Sequence, residues 1–109
     1  MKTLLVDLDG VLNTYKGDYK SDYIPPIREG AREFLEYLNN NEYEVKVFTT
    51  RNKELAEKWL EENGLKDLIL YVTNHKEKCY LMIDDRCVTF KGNYEETIEE
   101  VKNFKPWHS

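Results

Sequence analysis

Two aspartates, Asp7 and Asp9, stand one residue apart where the apolar run LLV ends, and a glycine follows them in LLVDLDGVLNT. Side chains of an extended chain alternate between its two sides, so this spacing is the shortest that puts both carboxylates on one face. Two later apolar stretches end in Thr49-Thr50-Arg51 and in Asp84-Asp85-Arg86, with His75, Lys76 and Lys78 just ahead of the second. If these stretches are parallel strands of one sheet, four carboxylates, a hydroxyl and one or two lysines meet at its carboxyl edge, where ligands of open α/β sheets bind. Such a set describes a Mg²⁺ site beside a phosphate, because Mg²⁺ takes hard oxygen ligands and keeps places for water and substrate phosphate. The cysteines and histidines lack the ligand spacing of a softer metal.

Electrostatics explains why a cation belongs there. A carboxylate brought to about 4 Å from a phosphate meets roughly 4 kcal/mol of repulsion per pair of unit charges at an effective dielectric near 20. A divalent cation bridging both groups, with a lysine ammonium beside it, turns that repulsion into attraction.

The elements that position these residues follow from hydrophobic periodicity. Apolar runs of strand length occupy residues 4–6, 45–48, 68–72 and 81–83, with a weaker one at 88–90. Between them lie helical patterns, and the alternation predicts an α/β domain with a mostly parallel sheet. A first helix is expected over 27–40, after Pro25-Pro26, with Ile27, Ala31, Phe34, Leu35 and Leu38 on one face. A second is expected over 52–63, where Leu55, Ala56, Trp59 and Leu60 form a stripe and Gly64 supplies a left-handed cap. A third starts at Asn93, whose side chain caps it while Glu96 follows three residues later, and it is expected to bury Ile98, Val101 and Phe104. Phe104 and Trp107 are read as a clasp of this helix onto the core. The segment 13–24, NTYKGDYKSDYI, mixes turn formers with tyrosines and lysines and predicts a loop or small hairpin.

The chain has 109 residues, the size of one domain, so residues 1–109 are expected to fold as a single unit. With 16 basic against 21 acidic side chains, it lacks the basic excess of nonspecific nucleic-acid binding. No run approaches the roughly 20 apolar residues of a membrane span, and residues 2–6 are too few for a signal peptide, so a cytoplasmic protein is expected. Cys79 and Cys87 match no CxxC pattern and are read as reduced, structural thiols.

Taken together, Asp7-Leu8-Asp9-Gly10-Val11 after an apolar strand, a Thr ending the next strand, an upstream Lys and the late Asp84-Asp85 pair resemble the four motifs of the haloacid dehalogenase superfamily, in its aspartate-dependent phosphatase branch. The resemblance spans residues 7 to 85. It implies a three-layer Rossmann-like domain with a mostly parallel five-stranded sheet in the order 5-4-1-2-3. It also implies a Mg²⁺-dependent phosphomonoesterase in which Asp7 is the nucleophile and forms an aspartyl-phosphate. Asp9 would protonate the leaving oxygen and then activate water, while its backbone carbonyl joins Asp7, Asp84 and Asp85 in holding Mg²⁺. Thr49 would bind the phosphoryl oxygens, with Thr50 as the alternative, and Lys76, eight residues before Asp84, would neutralise charge, with Lys78 as the alternative. Nucleotidase-like or phosphotransferase activity is the enzyme alternative, and a non-catalytic binder of phosphorylated ligands the alternative of another class.

Members of that superfamily often insert a cap domain, and neither usual place for one holds an insertion here. The resulting open site is expected to take a phosphorylated macromolecule, or a small molecule when a homo-oligomer partner supplies the lid. Tyr15, Tyr19 and Tyr23 with Lys16 and Lys20 are either a recognition surface or the packing of their own loop. Arg51 and Arg86, each directly after a candidate site residue, either aid phosphate binding or form ion pairs.

Overall fold

The computed structural model describes residues 1–108. Four parallel strands form one sheet: β1 (Lys2–Asp7), β2 (Tyr43–Phe48), β3 (Tyr71–Thr73) and β4 (Leu81–Ile83), in the order β3-β2-β1-β4. β1 is therefore interior, and its register against β2 runs from Lys2 opposite Tyr43 to Asp7 opposite Phe48. The expected order holds for four strands, but the expected fifth, at 88–90, is not a strand. Phe90 stays exposed and stacks on Tyr94 with ring centroids 5.1 Å apart. A three-residue apolar run joins a sheet only if a packed layer buries it, and no such layer forms here.

Alternation across the sheet separates two faces. On one, Leu4, Val6, Val45, Val47 and Val72 form a core with Ala31, Leu35 and Leu38 of helix α1 (Ala31–Asn40) and Ala56, Trp59 and Leu60 of helix α2 (Lys53–Glu62). Each fully buried leucine in this cluster contributes roughly 2 kcal/mol of transfer free energy. On the other face lie Leu5 and Lys46, where the β3–β4 connection crosses and Glu77 accepts from Lys46 Nζ at 3.0 Å, from Thr73 Oγ1 at 2.9 Å and from the Tyr71 hydroxyl at 2.6 Å. These three donors hold the Glu77 carboxyl down to about 2, Tyr71 contributing most.

Helix α1 begins four residues later than its apolar stripe suggests. Ile27 pairs with Asn13 in an antiparallel bridge and Arg28 N donates to Leu12 O at 2.9 Å, so the backbone of 27–28 is already engaged, and Gly30, at φ 88°, opens the helix. α2 is capped as expected: Asn52 Oδ1 accepts from Leu55 N at 3.0 Å, and Gly64, at φ 69°, lets Leu65 N reach Leu60 O at 2.8 Å. β3 starts at Tyr71 and not at 68, because Lys66–Leu68 is spent on a 3-10 turn.

Helix α3 (Tyr94–Lys102) also has its cap, with Asn93 Oδ1 accepting from Glu96 N at 3.0 Å. Its apolar side does not pack as expected: Ile98 and Val101 are more than half exposed, Phe104 is exposed, and Trp107 is 65% exposed, so Phe104 and Trp107 clasp nothing onto the core. Among the described residues, α3 thus does not form the packed second helical layer implied by a three-layer domain. Segment 13–24 is irregular, with one bridge inside it, Lys20 to Tyr23, and another from Asn13 out to Ile27, and is anchored in the core by Ile24. Cys79 and Cys87 are free, and Cys87 is exposed, not packed as a structural thiol. No helix among the described residues is long and apolar enough to cross a membrane.

Candidate active site

β1 delivers Asp7 to the carboxyl edge of the sheet, and the chain then turns sharply. Leu8 O accepts from Leu12 N at 3.0 Å, and Gly10 takes φ 83°, a conformation that favours glycine. Asn13, fully buried, ties this turn together: its Oδ1 accepts from Gly10 N at 3.1 Å and Tyr15 N at 3.0 Å, and its Nδ2 donates to Asp9 Oδ1 at 3.0 Å. The sequence pattern of 13–24 marks Asn13 only as a loop residue. An Asn just after an Asp-x-Asp-Gly turn, able to accept from backbone amides, was the signal that could have found it.

β4, paired directly with β1, ends in Asp84 and Asp85. One carboxylate oxygen from each of Asp7, Asp84 and Asp85 can be chosen so that all three lie within 4.8 Å of one another. Burial, followed by the charge of Asp84 and by contacts and charges from Asp85 and Asp9, pushes the Asp7 carboxyl up to about 8. For Asp85, burial pulls the same way, but the hydrogen bond from His108 and the contacts with Asp7 and Asp84 outweigh it and hold the carboxyl below its usual value. Asp84 Oδ1 accepts from Arg86 N at 2.8 Å, and Asp85 Oδ2 lies 3.9 Å from Arg86 Nε and 2.6 Å from His108 Nε2. Nothing in the sequence pointed to His108, whose contact spans 23 residues.

Asp9 faces a different partner. Arg51 Nε donates to Asp9 Oδ2 at 2.8 Å and Oδ1 at 3.0 Å, and the arginine side chain is 1% exposed. The same guanidinium donates through Nη1 to Lys20 O at 2.8 Å and lies under the Tyr19 ring, 4.7 Å from its centroid. Of its two sequence readings, Arg51 therefore takes the ion pair, and it pins segment 13–24 to the general area of the two aspartates. With Arg51 and Asn13 on its carboxylate, Asp9 stands outside the three-aspartate group.

A cleft of 260 Å³ opens over this edge, lined by Asp7, Asp9, Thr49, Thr50, Asp84 and Asp85, with Tyr15, Tyr19, Phe48 and Arg86 around them. Thr49 is buried at the end of β2, and its Oγ1 accepts from Arg51 N at 3.1 Å, which leaves its own O–H proton free to donate into the cleft. Thr50 is exposed and also lines the cleft. Lys76 and Lys78 do not: both are exposed on the 74–80 connection. The sheet thus brings together Asp7, Asp9, Thr49, Thr50, Asp84 and Asp85, and leaves the lysine apart.

A family model of NLI interacting factor-like phosphatases matches residues 2–103, nearly the whole chain. The chain belongs to that family. It is a family of phosphatases of the haloacid dehalogenase type, so the family suggests a phosphatase hydrolase. Among solved structures, a conserved protein from Bacteroides thetaiotaomicron is similar over 93% of this chain and 89% of its own, with 23% identity and a TM-score of 0.62. An uncharacterized protein from Listeria monocytogenes serotype 4b matches 94% of this chain and 61% of its own, with 17% identity and a TM-score of 0.53. Both likenesses are of fold. No curated protein matches the chain.

Proposed function

We propose that this member of the NLI interacting factor-like phosphatase family is a Mg²⁺-dependent phosphomonoesterase that works through a phosphorylated Asp7. The observation that carries the proposal is the convergence of Asp7, Asp84 and Asp85 at the mouth of a cleft that also holds Asp9 and the free hydroxyl of Thr49. The donor set fits Mg²⁺: three carboxylates with no sulfur or imidazole among them, where burial and the neighbouring carboxylates push Asp7 up to about 8. When bound by Asp7, Asp84 and Asp85, with the Asp9 carbonyl as a further donor, the ion supplies positive charge that keeps Asp7 ionised and polarises the phosphoryl group.

An Asp7 carboxylate oxygen attacks phosphorus, and the bond to the leaving oxygen breaks. Asp9 gives that oxygen its proton, then takes one from the water that attacks the aspartyl-phosphate, which releases phosphate and restores Asp7. Thr49 donates to a phosphoryl oxygen, with Thr50 beside it, and Arg86 brings a cation to the rim. Lys76, with Lys78 as its alternative, is the family's expected second cation, and both stand outside the cleft in the structure. Tyr15 and Tyr19 contact whatever carries the phosphate, a small molecule or a segment of a macromolecule, and a second copy of the chain would complete the lid over a small one. Proton transfer needs Asp9 to leave its pair with Arg51. That pair favours the second reading, a binder of phosphorylated ligands in which Asp9 serves only to anchor Arg51.

Phosphate release from a broad panel of phosphomonoesters, nucleoside monophosphates included, decides between them. With Mg²⁺, wild type turns over at least one class, Asp7→Asn and Asp9→Asn lose activity by at least about 100-fold, and Lys76→Ala lowers kcat/KM more than Lys78→Ala. Ligand binding without turnover, on a folded chain that takes up Mg²⁺, favours the binding protein and overturns the phosphatase.

A further inference from the structure

His108 lies beyond the last helix, yet its side chain is only 3% exposed. Its Nε2 sits 2.6 Å from Asp85 Oδ2, and the Asp85 side chain is itself only 3% exposed. The apolar side of α3 does not carry the histidine there: Ile98 and Val101 are exposed, and the neighbouring Trp107 is 65% exposed. The Arg28 guanidinium lies 4.6 Å from the Trp107 ring centroid, and the next residue turns inward to a single hydrogen-bond partner. The other ring nitrogen, Nδ1, is buried with no hydrogen-bond partner among the described residues, so the imidazole gave up water on both sides to reach one carboxylate.

Asp85 is confined from other directions too. A Cβ on Gly10 would lie 2.6 Å from Asp85 Cγ, so the turn after β1 closes against the carboxyl group, and Arg86 Nε stands 3.9 Å from the same oxygen that meets His108. A carboxylate with one oxygen held this way can turn only a limited edge toward Asp7 and Asp84.

We propose that His108 is a positioning residue of the cation site, an inference that rests on the reading of Asp7, Asp84 and Asp85 as that site. Nε2–H donates to Asp85 Oδ2 and fixes the rotation of the carboxylate, leaving its remaining lone pairs aimed at the space shared with Asp7 and Asp84. The C-terminal segment 105–108 is thereby part of the site, although none of its residues lines the cleft. Hydrogen-bond partners that orient a metal ligand are worth 10–100-fold in metal affinity, which sets the size of the effect.

The test is Mg²⁺ binding to the metal-free full chain by calorimetry, with no substrate present. His108→Ala weakens Mg²⁺ binding about 10–100-fold, and His108→Gln, whose amide nitrogen can stand where Nε2 does, recovers most of the loss. Affinity in His108→Ala equal to wild type overturns the proposal, and so does a higher affinity, which would make the histidine a competitor of the ion. If His108→Ala does not fold, His108→Gln is compared with His108→Asn, which is too short to reach; equal affinities in the two overturn it. Asp84→Asn and Asp85→Asn separate this inference from the reading beneath it. If wild type takes up no Mg²⁺, or these two variants bind it unchanged, the cation site itself fails; if they lose binding and His108→Ala keeps it, only the role of His108 fails.

Discussion

Acidifying the metal-free protein should close its cation site before it unfolds the chain. The Asp7 carboxyl, pushed up to about 8 by burial and by Asp84, Asp85 and Asp9, carries a proton at neutral pH that a metal ion must displace. Asp85 stays ionised against its own burial, because His108, Asp7 and Asp84 hold its carboxyl low, and so adds no second proton. With one proton released, Mg²⁺ affinity falls about 50-fold between about pH 8 and about pH 6, approaching tenfold per unit well below the Asp7 value. The stability of the metal-free chain runs the other way. A group raised from 3.8 to about 8 in the folded state contributes stability that is fully present below 3.8 and lost as the pH rises through 8. Because Asp7 keeps partial contact with solvent, the loss is on the order of 1 kcal/mol per pH unit, below the ideal limit of about 1.4. Calorimetric titration of Mg²⁺ near pH 7, in two buffers of different ionisation enthalpy, counts the protons directly, and chemical denaturation across the same range follows the stability. A binding constant that ignores pH, with no proton released, refutes the linkage and the crowding that produces it.

Two further outcomes follow from packing and charge. Arg51→Ala leaves the Asp9 carboxylate half-buried without its cation and frees the carbonyl of Lys20, so denaturation should show a loss of about 3–5 kcal/mol; a loss under about 1 kcal/mol would mean that the pair contributes little to holding the loop. Gly10→Ala must place a side chain at φ 83° and against the carboxyl group of Asp85, which costs about 1–2 kcal/mol in backbone strain alone and displaces a cation ligand. Mg²⁺ binding should therefore fall further than stability does, and wild-type affinity in Gly10→Ala would show that Asp85 is not a ligand.

What could be read from the residues was whatever depends on strand ends. LLV running into Asp7 and Asp9, VKVF into Thr49 and Thr50, and LMI into Asp84 and Asp85 placed six polar residues at three strand ends, and parallel pairing in the order β3-β2-β1-β4 carries them to one edge. Elements that depend on distant partners were less legible. The start of α1 was moved by a bridge between Ile27 and Asn13, and the stripe of α3 promised a burial that no facing layer provides. The histidine at the edge of the cation cluster was invisible for the same reason: the aspartate it meets lies 23 residues away, and no periodicity marks it. Arg51 could be narrowed to two roles from its place after Thr50, but choosing between them took the position of Asp9.

The division of the candidate ligands between β1 and β4 has a consequence for how the fold opens. β1 is interior and paired along its length, whereas β4 contributes three residues at the sheet margin and pairs with β1 alone. Helices α1 and α2 and the other strands form a cluster that does not depend on β4 for its centre, and such margins detach in sub-global fluctuations well below the cost of unfolding the whole. An ion shared by Asp7 and the Asp84-Asp85 pair would act as a rivet between the most and the least secure strands, so amide exchange at Leu81, Met82 and Ile83 is where occupancy of the site would register, far more than in the core.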